Sequence, residues 1–310
     1  MNILSNWLFK LVVFPGLIFT AVVGMFASWF DRKLTARVQW RVGPPLFQPL
    51  YDFVKLLAKE TIIPKKTFTT FILAPIMSLV SIVIVSVIIW EAMLWHSGFV
   101  GDLIVTLYFL TIPSIAIIVG GAASMNPLAS LGVSREIKLM LGYELPFIMA
   151  MFVPVIRAGG TIKLTELLSY EWTNGLFIGS WSGAIAFACA LACMQAKLAY
   201  IPFDLPEAET EINAGVFLEY SGAPLGIFKL SRWMLLFVLP MFIVFMFMGG
   251  IKFEGLHTLW GILKYIMLLG FVVLVKVTNP RIRIDQAMKF FWWGVTPFAI
   301  IAVILAFLGL

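Results

Sequence analysis

The chain has 310 residues, of which 61% are hydrophobic and 12% charged, with a formal net charge of +6. Soluble domains carry about 25% charged residues, so this composition excludes an ordinary water-soluble enzyme and points to an integral membrane protein. The basic residues cluster at the ends of apolar segments rather than along one stripe, which argues against a nucleic-acid partner.

Apolar segments of about 20 residues, the length that crosses a bilayer core, recur along the chain. The short alternating strands of a β-barrel are not evident. The expected fold is therefore an all-α integral membrane protein, a single transmembrane helical bundle over residues 1–310. Eight spans are expected near 7–29, 68–95, 103–124, 137–156, 178–200, 223–249, 257–279 and 290–309. The first is followed by Asp31-Arg32-Lys33, a stop-transfer flank with no small-residue cleavage site, so no cleavable signal peptide is expected.

Basic residues set the expected orientation. Arg32, Lys33, Arg37, Arg41, Lys55, Lys59, Lys65 and Lys66 share one side with Arg135, Lys138, Lys197, Lys229, Arg232, Lys276, Arg281, Arg283 and Lys289. Both termini should then face outward, with inner loops near 30–67, 125–136, 201–222 and 280–289.

In the first inner loop, Gly43-Pro44-Pro45 precedes Leu46, Leu50, Phe53, Val54 and Leu57 at helical spacing, with Gln48, Asp52, Lys55 and Lys59 on the other face. This segment is too short to span and reads as an amphipathic helix on the membrane surface. It either orients the bundle or presents a polar face to a pocket or partner.

The fourth span carries Glu144 in Gly142-Tyr143-Glu144-Leu145-Pro146, and the seventh carries Lys264. A charge inside hydrocarbon costs about 2.5–3.5 kcal/mol on insertion scales, so such groups face a bundle interior or water. Each is a candidate proton carrier, against a packing pair for Glu144 and outward snorkelling for Lys264. Cys189 and Cys193, four apart in the fifth span, read as small packing residues, and His96 and His257 as interfacial. No set of Cys or His suits zinc or an iron–sulfur cluster, so no cofactor is expected in this chain. The outer loop with Glu166 and Glu171 carries no recognisable chemistry.

The fifth inner loop is the most charged stretch. Asp204, Glu207, Glu209 and Glu211 fall within eight residues, and Glu219 follows. Pro202 and Pro206 favour extended chain before them, and a helix is expected to start at Pro206, its dipole stabilising the acids. The seventh inner loop, Arg281-Ile282-Arg283-Ile284-Asp285-Gln286, alternates charged and apolar residues and reads as a flank or a contact with a neighbouring chain.

These segments together resemble the NuoH-type (complex I subunit 1-like) membrane subunit shared by respiratory complex I and membrane-bound energy-converting hydrogenases. The resemblance runs through Asp31-Arg32-Lys33, Arg41-Val42-Gly43-Pro44-Pro45, Gln48-Pro49-Leu50-Tyr51-Asp52, Ser134-Arg135-Glu136, Tyr143-Glu144, Pro202 to Glu211, Glu219-Tyr220-Ser221-Gly222 and Arg281 to Gln286. Gly43-Pro44-Pro45 reaches Gln48-Pro49 without the insertion usual in complex I. That is more similar to the hydrogenase branch with its sulfane-sulfur-reducing relatives, which do not need quinone. The resemblance implies a non-redox membrane subunit that anchors a peripheral iron–sulfur arm and couples electron transfer to proton or sodium translocation. It implies a proton path through Glu144, Glu207, Glu209, Glu211 and Glu219, with Asp204 added from the acidic loop and Lys264 from its depth. It implies a cavity or arm interface at Arg37, Arg41, Asp52, Arg281 and Arg283, to which Arg135, Glu136 and Asp285 are added as neighbouring charges. Implied partners are peripheral iron–sulfur and hydrogenase-like subunits on the cytoplasmic face, antiporter-like membrane subunits and the lipid bilayer of the cell membrane. Iron–sulfur clusters, with nickel–iron as one option, would lie in those partners. The alternatives are a quinone-binding subunit of a complex I-type dehydrogenase and a stand-alone cation/proton antiporter.

Overall fold

The structure, a computed structural model, describes residues 7–64 and 67–310, except for the side chains at 209 and 210. Lys65, Lys66 and the side chain of Glu209 lie outside the described residues. Every regular element among the described residues is helical.

α1 (Trp7–Val12) and α2 (Leu17–Val38) form one run interrupted around Pro15, and α2 continues well past Trp29 to carry Asp31, Arg32 and Arg37. α3 (Gln48–Leu57) is the expected amphipathic segment, opened by Pro49 in its first turn. α4 (Phe68–Leu94), α5 (Asp102–Ala123) and α6 (Pro127–Arg157) follow, then α7 (Leu164–Asn174), α8 (Trp181–Lys197) and the single turn α9 (Glu209–Ile212). α10 (Gly222–Phe247) and α11 (Leu256–Thr278) precede α12 (Ile284–Lys289), which continues through a π-turn, Phe290–Val295, into α13 (Thr296–Phe307).

Among the described residues, seven helical runs are long and apolar enough to cross a membrane. The segment expected at 178–200 is instead the 17-residue α8. At 1.5 Å per residue it covers about 26 Å, against a hydrocarbon core of ~30 Å. Ser180 caps its start by accepting from the Gly183 N–H at 3.1 Å. α6 runs 31 residues through Pro146 and Pro154. Prolines persist inside membrane helices where neighbouring groups satisfy the carbonyls they release.

α10 is the hub, with every residue from Trp233 to Phe247 buried. It packs against α2, α3, α4, α8 and α11. A helix that is apolar all round belongs in the interior, and here it positions the polar residues of its first turns. The crossing with α2 is close: a Cβ on Gly24 would stand 2.7 Å from the Trp233 carbonyl oxygen and 2.9 Å from the Met234 Cα. Small residues permit such backbone approach in membranes. A Cβ on Gly270 would meet nothing within 4 Å. Gly24→Ala should therefore destabilise by about 1–3 kcal/mol through overpacking, whereas Gly270→Ala should be neutral or stabilising. Thermal midpoints in detergent decide it, and equal shifts for the two variants would refute the close crossing.

Candidate functional site

The loop after α8 does not extend or start a long helix at Pro206. It turns through 200–208 with Phe203, Leu205 and Ala208 buried as anchors, and only one helical turn forms, at Glu209–Ile212. Gly215, at φ +50°, lies so close to Pro206 that the Pro206 carbonyl occupies the place of a Cβ. That folds the loop onto itself. Its acids are consequently held by separate cations from different elements rather than by one helix dipole. Arg281 donates to Asp204 at 2.8 Å, Arg232 of α10 to Glu207 at 2.6 Å, and Arg135 of α6 pairs with Glu211 at 2.6 Å. Asn126, the N-cap of α6, donates to Glu219 at 2.6 Å. The Ile282 N–H donates to the Pro202 carbonyl at 3.3 Å, tying the loop between α11 and α12 to the acidic one.

Beside this loop, Asp31 at the inner end of α2 is buried and accepts from Lys276 of α11 at 2.8 Å and from the Tyr200 hydroxyl at 3.3 Å. Burial and the Asp31 charge push the Tyr200 hydroxyl well above its ordinary range, so it stays an O–H donor. Nearer the surface, Asp52 of α3 accepts from Arg32 at 2.7 Å and from Gln48 at 2.9 Å. Partial burial opposes its charge, but these two hydrogen bonds and the Arg32 and Lys229 charges prevail and lower its pKa. Asp204 behaves oppositely: burial, reinforced by the Glu207 charge, raises it to about 6 despite Arg232 and Arg281.

Deeper in the bundle, Lys197 at the end of α8 is 1% exposed in its side chain and donates to Glu144 of α6 at 2.6 Å. Its ammonium lies 5.3 Å from the Tyr143 ring and 4.8 Å from the Phe147 ring, which adds cation–π attraction. Glu136, one residue beyond Arg135, is 3% exposed and turned into the bundle. It borders a cavity of about 20 Å³ with Ser78, Ser114, Lys197, Ser231 and Arg232. That space fits about one water molecule. Glu136 interacts electrostatically with Arg232, Glu207 and Lys197, and Ser114 beside it lies 2.8 Å from the Tyr143 hydroxyl. Among the described residues, Glu136, Glu144 and Glu207 each have one buried carboxylate oxygen without a hydrogen-bond partner.

The candidate residues thus divide by location. Asp204, Glu207, Arg281, Arg135 and Glu211 meet at the acidic loop, Glu136 and Glu144 lie inside, and Glu219 is at the rim. Glu136, expected at the cavity or arm interface, is buried and borders the small cavity, pointing away from Arg135 because adjacent helical positions point about 100° apart. Lys264 lies apart from all of these. Its ammonium donates to the Met248 carbonyl at 2.5 Å, beyond the end of α10 remote from Arg232. Arg41, Arg283 and Asp285 lie toward the surface with Arg37. Lys197, Arg232, Asp31 and Lys276 are the residues that sequence reasoning passed over, each counted only as an orienting flank charge. A clue existed for Lys197, which falls inside the apolar segment 178–200. No group of acids, His or Cys among the described residues has a metal-holding arrangement.

Asp204 is the loop acid that should exchange its proton near neutral pH. In difference infrared spectra of the purified complex, a protonated-carboxyl band should vanish with a midpoint near pH 6 and be missing in Asp204→Asn. Identical titrations of the two proteins would rule this out.

Comparison with known proteins places this geometry. A family model described as NADH dehydrogenase matches residues 10–307. The H subunit of an NADH-quinone oxidoreductase from Thermomicrobium roseum is 34% identical over 304 residues, covering 90% of this chain and 89% of the relative. The H subunit of the Geobacillus kaustophilus oxidoreductase is 30% identical over 309 residues, with 94% and 91% covered. Among solved structures, a chain of the membrane-bound sulfane sulfur reductase, an archaeal respiratory membrane complex, superposes with a TM-score of 0.85 at 26% identity, covering 94% of this chain and 96% of that one. With its long apolar helices it is a multi-pass cell-membrane protein, and it belongs to the NuoH-type family of NADH dehydrogenase membrane subunits.

Proposed function

We propose that this chain is the non-redox coupling subunit of a respiratory membrane complex. It anchors a peripheral iron–sulfur arm at its inner face and passes the charge change of electron transfer to proton or sodium translocation. In this reading the membrane part has eight crossings, α8 being the short one, with both termini outside. The inner face carries the acidic loop, α3 and the arginines Arg37, Arg41, Arg281 and Arg283, which meet the arm. Antiporter-like subunits adjoin it within the membrane. The sequence features shared with the hydrogenase and sulfur-reductase branch, and the likeness to a sulfane sulfur reductase chain, support a partner arm of that kind.

The single observation that carries the coupling role is the cluster of Glu207, Arg232, Glu136, Lys197 and Glu144, in which Glu136 and Lys197 are buried and the other three half-buried. It holds three carboxylates against two cations, with Arg232 on Glu207 and Lys197 on Glu144. One added proton makes it neutral, and Glu136, which is in no ion pair among the described residues, is placed to take it. Uncompensated charge is expensive at low dielectric. A charge appearing at the arm therefore alters where that proton rests. Asp204 and Glu207 exchange with the inner aqueous side, Glu136 bridges, and Ser114 with Tyr143 lies between Glu136 and Glu144. The unpartnered oxygens of Glu207, Glu136 and Glu144 mark where a proton or a bridging water binds.

Glu136→Gln should leave the complex assembled and electron transfer measurable while ion uptake by proteoliposomes falls about a hundredfold or more. Glu144→Gln, which strands the Lys197 ammonium, should lower uptake as much and also lower the thermal midpoint of the complex. Undiminished pumping in both would sink the relay. Metal analysis of the complex captured gently through this chain separates the branches. Nickel with iron supports a hydrogenase arm, and iron without nickel a sulfur- or quinone-reducing one.

A further inference from the structure

At the end of α10 remote from the acidic loop, roughly 24 Å from Arg232 at 1.5 Å per residue, the chain reverses through Gly249 and Gly250. Their φ angles of 75° and 60° are left-handed, which glycine adopts without steric cost. The turn is locked to α7. The Gly249 N–H donates to Glu171 at 2.9 Å, the Trp172 indole N–H donates to the Gly249 carbonyl at 2.9 Å, and the second Glu171 oxygen accepts from the Phe177 N–H at 3.2 Å. Glu171 is 3% exposed, so this acid is consumed in holding the turn. Burial raises it to about 8, which leaves it uncharged at neutral pH.

The turn forms one wall of a cavity of about 190 Å³ bordered by Glu171, Trp172, Lys252, His257, Trp260 and Lys264. The Lys252 ammonium stands 4.7 Å over the Trp172 ring, and the Lys264 ammonium is drawn to the Met248 carbonyl at 2.5 Å. Neither lysine is in an ion pair among the described residues, unlike Lys10 at the same end, which Glu91 holds at 2.7 Å. Two ammonium groups border a recess with room for a small oxyanion, and the carboxyl on its wall, Glu171, is taken up by the Gly249 and Phe177 N–H groups rather than by an ion pair with either lysine. Around the mouth, Phe253, Leu256, Leu259 and Trp260 are exposed. Such an apolar rim suits acyl chains, and tryptophan prefers the membrane–water interface.

We propose that this recess binds the phosphate of an anionic phospholipid, with Lys252 and Lys264 on the headgroup and the α11 rim against its chains. Basic pockets between membrane helices capture anionic headgroups in this way. The site stands independently of the coupling role above, since it shares no residue with the Glu207–Glu144 cluster.

The test uses the full chain in nonionic detergent, titrated with dioleoylphosphatidylglycerol, dioleoylphosphatidylcholine or inorganic phosphate and read by native mass spectrometry. One phosphatidylglycerol should be retained at concentrations where phosphatidylcholine is not. Lys252→Ala and Lys264→Met should each weaken it about fivefold, while Lys163→Ala, outside the recess, should leave it unchanged. Equal retention of both lipids, or undiminished retention in Lys252→Ala, overturns the proposal. Displacement of the lipid by millimolar inorganic phosphate would make the source a free anion and overturn the lipid assignment. If Lys264→Met fails to fold, Lys252→Ala, whose side chain lies in the loop outside the helices, decides alone.

Discussion

The constraint on which the inner half of this protein depends is that the Lys197 ammonium, 1% exposed, has to be neutralised within the bundle. Glu144 does so at 2.6 Å, joining α8 to α6. Removing one partner of a buried pair costs about 3–5 kcal/mol, because the other charge is left without compensation. The pair therefore fixes how the short α8 seats against the long α6. With α8 so placed, its C-terminal end delivers the chain to the acidic loop beside the first turns of α10. The same contact that holds two helices in register thus sets where the loop acids meet Arg232.

The polar groups of the inner half are arranged by depth. At the surface, Arg32 with Asp52 and Arg135 with Glu211 are partly exposed, and exposed pairs contribute little to stability. Below them Asp31, with Lys276 and Tyr200, ties α2 to α11 and to the loop after α8. The most buried charges are Lys197 and Glu136, with the half-buried Glu144 paired to Lys197. Dielectric screening falls along this series, so the same unit charge has a larger effect with each layer. Arg232 stands between the levels, bonded to Glu207, its ion-pair partner, and interacting electrostatically with Glu136 across the cavity.

Much of this was legible in the sequence. The apolar lengths identify the long helices, and the spacing of Leu50, Phe53, Val54 and Leu57 places the amphipathic helix. Hydrophobic periodicity carries that information locally. The crowding of acids after Pro202 also marks the inner site before any geometry is known. What the sequence conceals are partnerships between residues far apart in the chain. Asp31 and Lys276 are 245 positions apart, and each reads locally as a flank charge. Arg135 and Glu136 are adjacent and read as one charged patch, yet one reaches Glu211 and the other faces the interior. The helix start expected at Pro206 fails for a tertiary reason, since Gly215 folds back against Pro206 and leaves room for only one turn.

Glu144 and Lys264 show most clearly why depth in a span does not assign a role. Each lies about eight residues, roughly 12 Å, into its predicted segment. Lys264 has a long flexible stem and a carbonyl acceptor at the end of α10, so its charge is drawn outward to Met248. Glu144 has a short stem, and its cation enters from another helix at the same level, so its charge stays inside. The position of the partner, not the depth of the Cα, decides whether an intramembrane charge joins the interior network or leaves it. By that criterion Glu136, whose electrostatic partners are Arg232, Glu207 and Lys197, belongs to the inner network although its sequence neighbours mark it as surface, and Lys264 belongs to the opposite end.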